Sequence, residues 1–181
     1  MPLPKERIYT IDDIYSLPDG ERAELINGQI YYMAPPSRKH QEIAGELFTS
    51  INNYIHSNGG PCKPYIAPFA VYLHENDKTY VEPDISVICD PNKLNDKGYS
   101  GAPDWIIESV SPSSKPMDYY TKLSLYRDAG VREYWIVDPL RQIILVYDME
   151  HGDSPVIHSF NDSIPVRIYP GFSIDFSQLK L

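Results

Sequence analysis

The sequence has little of the material that usually assigns a protein at once. It holds two cysteines, Cys62 and Cys89, in 181 residues. They match neither a paired zinc spacing nor a Cys-x-x-Cys redox motif. The expectation is two buried free thiols in a reducing cytoplasm. No run approaches the ~18 apolar residues of a membrane-spanning helix, and MPLPKERIYT lacks the apolar stretch of a secretory signal. Positive charge is also scarce: 16 Lys and Arg face 25 Asp and Glu, a net charge of −9. That argues against a simple electrostatic binder of nucleic acid, whose affinity comes from bases neutralising phosphates. A local basic patch stays open. There is no internal repeat, low-complexity tract or linker, so a single domain, 1–181, is expected.

What is present suits a soluble globular chain: 42% apolar residues and fifteen tyrosines, which pack well on pleated strands. Thr10-Ile11-Asp12-Asp13 predicts a capped short helix ending by Pro18-Asp19-Gly20. Asn27-Gly28 between two short runs predicts a hairpin over 22–33. Ile43, Leu47, Ile51 and Ile55 recur every four residues and predict a helix over 37–58, stopped by Gly59-Gly60. Strands are predicted over 66–73 and 80–88; Pro83 makes the second an edge strand, a bulged strand or one that begins near Pro83. A polar loop follows over 90–102. Trp105–Val110, apolar on both faces except at Glu108, predicts a buried central strand. A helix over 116–129, a strand over 133–137, its hairpin partner over 142–147 and two or three short C-terminal strands complete the chain.

Three residues carry chemical interest. Glu108 lies inside Trp-Ile-Ile-Glu-Ser-Val, where a carboxylate is costly unless paired, metal-bound or turned to solvent. Asp84 follows Pro83 at a strand start, where capping a turn is the alternative. On neighbouring strands the two can meet, and two carboxylates with a backbone carbonyl suit Mg2+ or Mn2+. Lys122 stands four residues after Asp118 on the next helix; it either faces that site or forms an exposed i,i+4 pair. Glu24 and His40 are secondary candidates; their alternatives are a cross-strand pair with a base such as Arg22 and a polar helix start. Ser111-Pro112-Ser113-Ser114 lacks a Gly-x-Ser-x-Gly elbow and reads as a turn and cap.

These residues resemble the Uma-two family of restriction-endonuclease-like bacterial proteins. The match is carried by Glu24-Leu25-Ile26-Asn27-Gly28, His40, and Pro83-Asp84-Ile85-Ser86-Val87. It continues through Ile107-Glu108-Ser109-Val110-Ser111-Pro112-Ser113, Asp118, Lys122, Tyr126 and the run Gly130 to Pro139. The family resembles the PD-(D/E)XK nucleases. The resemblance implies a mixed α/β (α+β) fold with a helix, three strands, helix, strand core, extended by N- and C-terminal strands. It implies Asp84 and Glu108 as metal ligands with the Ser109 carbonyl, and Mg2+ or Mn2+ as cofactor. Val110 occupies the usual lysine position, so the resemblance moves that role to Lys122.

The expected function is a Mg2+-dependent DNA endonuclease leaving a 5′-phosphate. Arg38, Lys39, Lys115 and Arg127, with Lys122 and Arg132, would form a basic rim. The alternatives are a non-catalytic nuclease-fold binding or dimeric module, and a hydrolase of smaller phosphate esters. A cytoplasmic homodimer is expected, with the apolar run Ile143–Tyr147 as its motive.

Overall fold

The computed structural model describes residues 7–112 and 114–181. The start of the N-terminal segment and Ser113 of the serine-rich turn lie outside the described residues. Its centre is a six-stranded mixed sheet. In chain order the elements are α1 (Ile11–Tyr15), the hairpin β1 (Ala23–Ile26) and β2 (Gln29–Tyr32), and the long α2 (Arg38–Asn58). Next come β3 (Lys63–Ile66), β4 (Val71–Tyr72), β5 (Ile85–Ile88), β6 (Leu94–Asn95), β7 (Gly98–Ser100) and β8 (Trp105–Ser109). Then follow α3 (Lys122–Ala129), β9 (Glu133–Asp138), β10 (Ile143–Asp148), β11 (Val156–Ser159), β12 (Ser163–Pro165) and β13 (Ser173–Asp175).

The sheet order is β11-β10-β9-β8-β5-β3. Only β8 and β9 run parallel, joined by the crossover through α3. The period-2 alternation sorts the side chains into two cores. Ile85, Val87, Trp105, Ile107, Trp135 and Val137 meet the Ile43, Leu47, Ile51 and Ile55 stripe of α2. Ile106, Val110, Tyr134 and Ile136 meet Leu125 and Tyr126 of α3. Glu108 shares the parity of Ile106 and Val110, so it projects toward α3. Both faces of the central strands are thus covered, as continuous apolar runs require.

The Asn27-Gly28 hairpin forms as expected. Both residues take left-handed φ values, 51° and 79°, as a type I′ turn demands. A Cβ at Gly28 would stand 2.6 Å from Ile8 Cγ2, so the turn is also a close-packing point.

Three expectations change and one alternative is decided. The strand over 66–73 divides into β3 and β4, separated by Pro68 with its cis peptide bond. Of the alternatives for 80–88, the strand that begins near Pro83 holds: β5 starts at Ile85, and Tyr80 and Val81 bridge instead to Leu25 and Val71. The expected loop over 90–102 holds β6 and β7. The two cysteines are not free: Cys62 and Cys89 form a disulfide. They flank the Lys63–Ile88 pair of β3 and β5, so strand register places them opposite one another.

The run that motivated a homodimer, β10, lies inside the sheet between β9 and β11, with Ile144 to Tyr147 buried. Its apolar residues are satisfied within one chain. Among the described residues, no helix is long and apolar enough to cross a membrane.

Candidate functional site

The register Ile85–Ile107 of β5 and β8 brings Asp84 beside Glu108. Two backbone contacts fix the pair. The Ser109 N–H donates to Asp84 Oδ2 at 2.7 Å, and the Asp84 N–H points at Glu108 Oε2 at 3.4 Å. The sequence expectation of adjacent acids on adjacent strands therefore holds in the geometry.

Lys122 is buried, 5% exposed, which rules out the exposed i,i+4 pair. Its Nζ lies 2.9 Å from Glu108 Oε1, 2.9 Å from Glu24 Oε2 and 3.6 Å from Asp118 Oδ1. The Tyr126 hydroxyl donates to Glu108 Oε1 at 2.7 Å. Lys122 and Tyr126, four apart on α3, thus grip the same oxygen. Just before α3, residues Met117–Thr121 wind as a wider π-turn. The Tyr134 hydroxyl donates to the Asp118 carbonyl at 3.0 Å and holds that turn against β9.

Glu24 is not a partner for Arg22, which pairs with Glu82. Its second oxygen accepts the Glu82 N–H at 3.0 Å, so β1 delivers Glu24 to Lys122 with a fixed orientation. His40 lies in the first turn of α2, whose N-cap Ser37 accepts the His40 N–H. Its Nε2 is 2.9 Å from Asp84 Oδ1. All five predicted catalytic candidates therefore converge.

Burial sets the electrostatics. It pushes the Glu108 carboxyl well above the usual range, against the Lys122 ammonium, while Asp84, Asp118 and Glu24 push it further up. Asp118 is raised by burial too, with Lys122 and Ser114 opposing. Burial alone would lower Lys122, but Glu108, Glu24 and Asp118 together hold it well above the ordinary lysine value. On His40, burial also opposes charge; Asp84, Asp118 and the Ser109 backbone outweigh it and raise its pKa.

A family profile described as "Putative restriction endonuclease", Uma2, matches residues 11–177. The chain belongs to the Uma2 family. It is 30% identical over 135 residues to the uncharacterized protein slr1290 of Synechocystis sp. (strain ATCC 27184 / PCC 6803 / Kazusa), covering 74% of this chain and 70% of that one. A crystal structure from Anabaena variabilis, titled as a putative nuclease belonging to DUF820, superposes with a TM-score of 0.77 at 22% identity. The superposition covers 94% of this chain and 96% of that one, and shows that the two share a fold.

Within this Uma2 chain, Asp118 and Tyr126 join the cluster although sequence reasoning did not count them as site residues. The signal was their spacing: 118, 122 and 126 follow one another at intervals of four. Most bases of the expected rim carry acidic partners. Arg38 pairs with Glu42, Lys115 Nζ lies 2.6 Å from Asp138, and Arg127 lies 3.8 Å from Asp153. Arg132 holds Glu150 and Asp104 at 3.0 and 3.3 Å. Lys39 is exposed beside Arg38.

Among the described residues, no three His, Cys, Asp or Glu side chains form a metal-binding group. The donors available are the Asp84 and Glu108 carboxylates and the Ser109 carbonyl. Among the described residues, Glu108 Oε2 has the long contact from the Asp84 N–H and the buried Ser109 hydroxyl has no partner. Two hard carboxylates and a backbone carbonyl are the oxygen donors that Mg2+ takes.

Proposed function

We propose that this chain is a Mg2+- or Mn2+-dependent endonuclease that hydrolyses phosphodiester bonds of DNA. The observation that carries the reading is the in-register meeting of Asp84 and Glu108, with the Lys122 ammonium on Glu108. Asp84, Glu108 and the Ser109 carbonyl would hold the ion, which when bound supplies a more acidic water and Lewis-acid stabilisation of phosphoryl charge.

The chain's own residues do the rest. His40 and the Ser109 N–H orient Asp84. Tyr126 and Lys122 fix Glu108 so that its other oxygen faces Asp84. Glu24 and Asp118 keep Lys122 charged and in place, and its positive field stabilises the negative charge that builds on the phosphoryl oxygens. Hydrolysis forms a bond from the water oxygen to phosphorus and breaks the P–O3′ bond. The 3′ oxygen leaves with a proton, and a 5′-phosphate remains.

A second reading rests on one observation: Lys122 is held among three carboxylates, as in a structural ion cluster. On that reading the chain keeps the nuclease fold as a binding module. Plasmid cleavage with Mg2+ or Mn2+ separates the two. Wild type is expected to cut, and Asp84→Ala is expected to lose at least ~100-fold in rate, about 2.7 kcal/mol of barrier. Equal rates in the two proteins would overturn the endonuclease reading.

A further inference from the structure

The site sits in an acidic molecule, and most of the bases expected around it already hold carboxylates. Lys115 holds the buried Asp138, Arg132 holds Asp104 and Glu150, and Arg127 makes a longer, exposed contact with Asp153 that is as weak as any surface pair. These contacts leave a duplex, with its dense double row of phosphates, little positive surface at the site. A strand that binds mainly through its bases needs less.

A surface of that kind borders the cluster. In the β1–β2 ladder Tyr31 stands directly across from Glu24. Cross-strand partners project to the same face, so Tyr31 shares the face on which Glu24 reaches Lys122. Yet Glu24 is buried, while Tyr31 is 37% exposed. From Tyr31 the chain continues through residues 32–39, all exposed except the half-buried Met33, straight into His40, which holds Asp84. This ledge has tyrosine at one end and Arg38 and Lys39 at the other. The Arg38–Glu42 pair is a surface pair of little strength, so Arg38 can exchange it for phosphate. The acids themselves are recessed: Glu108 is 4% exposed and Asp84 half-buried. A flexible strand can bend its backbone into such a recess more readily than a stiff duplex.

We infer that the substrate of this site is nucleic acid with an unpaired segment, one base of which stacks on Tyr31 while a neighbouring phosphate meets Lys39 and Arg38. The inference rests on the endonuclease reading and narrows its substrate. Stacking of unpaired bases on aromatic rings is strong, sequence-tolerant and weakly dependent on charge.

Fluorescence anisotropy in EDTA, where no cleavage occurs, tests it with a labelled strand of about 20 nucleotides and the matching duplex. The single strand is expected to bind at least ~10-fold tighter than the duplex. Its log affinity is expected to fall with log salt at a slope no steeper than about 1.4, two phosphates' worth. Tyr31→Ala is expected to weaken single-strand binding about 10-fold or more, with Tyr31→Phe near wild type and duplex binding unchanged in both. Equal affinity for the two forms, or no effect of Tyr31→Ala in a variant that keeps the wild-type circular dichroism melt, overturns the inference. Metal-dependent cleavage distinguishes the two failures. Asp84-dependent cutting of intact duplex, insensitive to Tyr31, leaves the endonuclease reading standing and removes this one. Cutting of neither form removes both.

Discussion

Lys122 shows how far one residue's setting can depart from its local sequence. Read alone, Asp118 and Lys122 describe a solvent pair worth ~0.3–0.5 kcal/mol. The structure buries the ammonium among three carboxylates instead. Removing it strands those charges, and breaking a buried pair costs about 3–5 kcal/mol. Lys122→Met is therefore expected to lose that much stability near neutral pH by urea unfolding. The loss should shrink in acid, because Glu108 and Asp118 already have raised pKa values and take up protons once the ammonium is gone. In the fraction that remains folded, cleavage should fall at least ~100-fold; a folded Lys122→Met that cuts like wild type would end its assigned role. The spacing of 118, 122 and 126 was visible in the sequence because a helix has a fixed period. The Glu24 contact was not, since it depends on where a distant hairpin docks.

At the scale of elements, regular period was legible, and interruption was legible at Pro83 but not at Pro68. The α2 stripe and the β8–β9 runs stand where their apolar spacing put them. The β3–β4 division and the π-turn before α3 depend on Pro68 and on the Tyr134 anchor, which no periodicity reports. Glu133, at the start of β9, is a similar anchor that sequence reasoning passed over. It is fully buried, accepting from Trp135 Nε1 at 2.7 Å and from the Ile168 N–H at 3.0 Å, and so ties the C-terminal tail to the sheet. Burial raises its pKa above the usual range, although the N–H groups of Ile168, Arg167 and Trp135 pull the other way. The folded state then binds the Glu133 proton more tightly than the unfolded chain does. Its contribution to stability is fullest below the unfolded value of about 4.3 and is lost as pH rises through the folded value. The stability advantage of wild type over Glu133→Gln should accordingly be greatest near pH 4 and narrow toward neutrality. An advantage that widened with pH would contradict the assignment.

The whole molecule couples the site to one edge of its sheet. β3 is the terminal strand, hydrogen-bonded on one side to β5, and β5 opens one residue after Asp84. Edge strands have half the ladder of interior ones and open first. Here the Cys62–Cys89 disulfide ties the strand down, closing a segment of 27 residues. Composition could not show this. Two isolated cysteines with no motif read as inert thiols, and their meeting depends on the register of strands that only the fold aligns. A loop of that length gives about 3–4 kcal/mol of stabilisation in the chain-entropy picture, less any residual order in the unfolded chain. Reduction, or a Cys62→Ser, Cys89→Ser double variant, is therefore expected to lower unfolding stability by about 2–4 kcal/mol. The effect should be local as well as global: amide exchange should quicken first in β3, while β8 and β9, covered on both faces and paired on both sides, keep their protection. If the reduced protein unfolds at the same denaturant midpoint and β3 exchanges no faster, the disulfide does not secure this edge, and the pairing of β3 with β5 alone holds it.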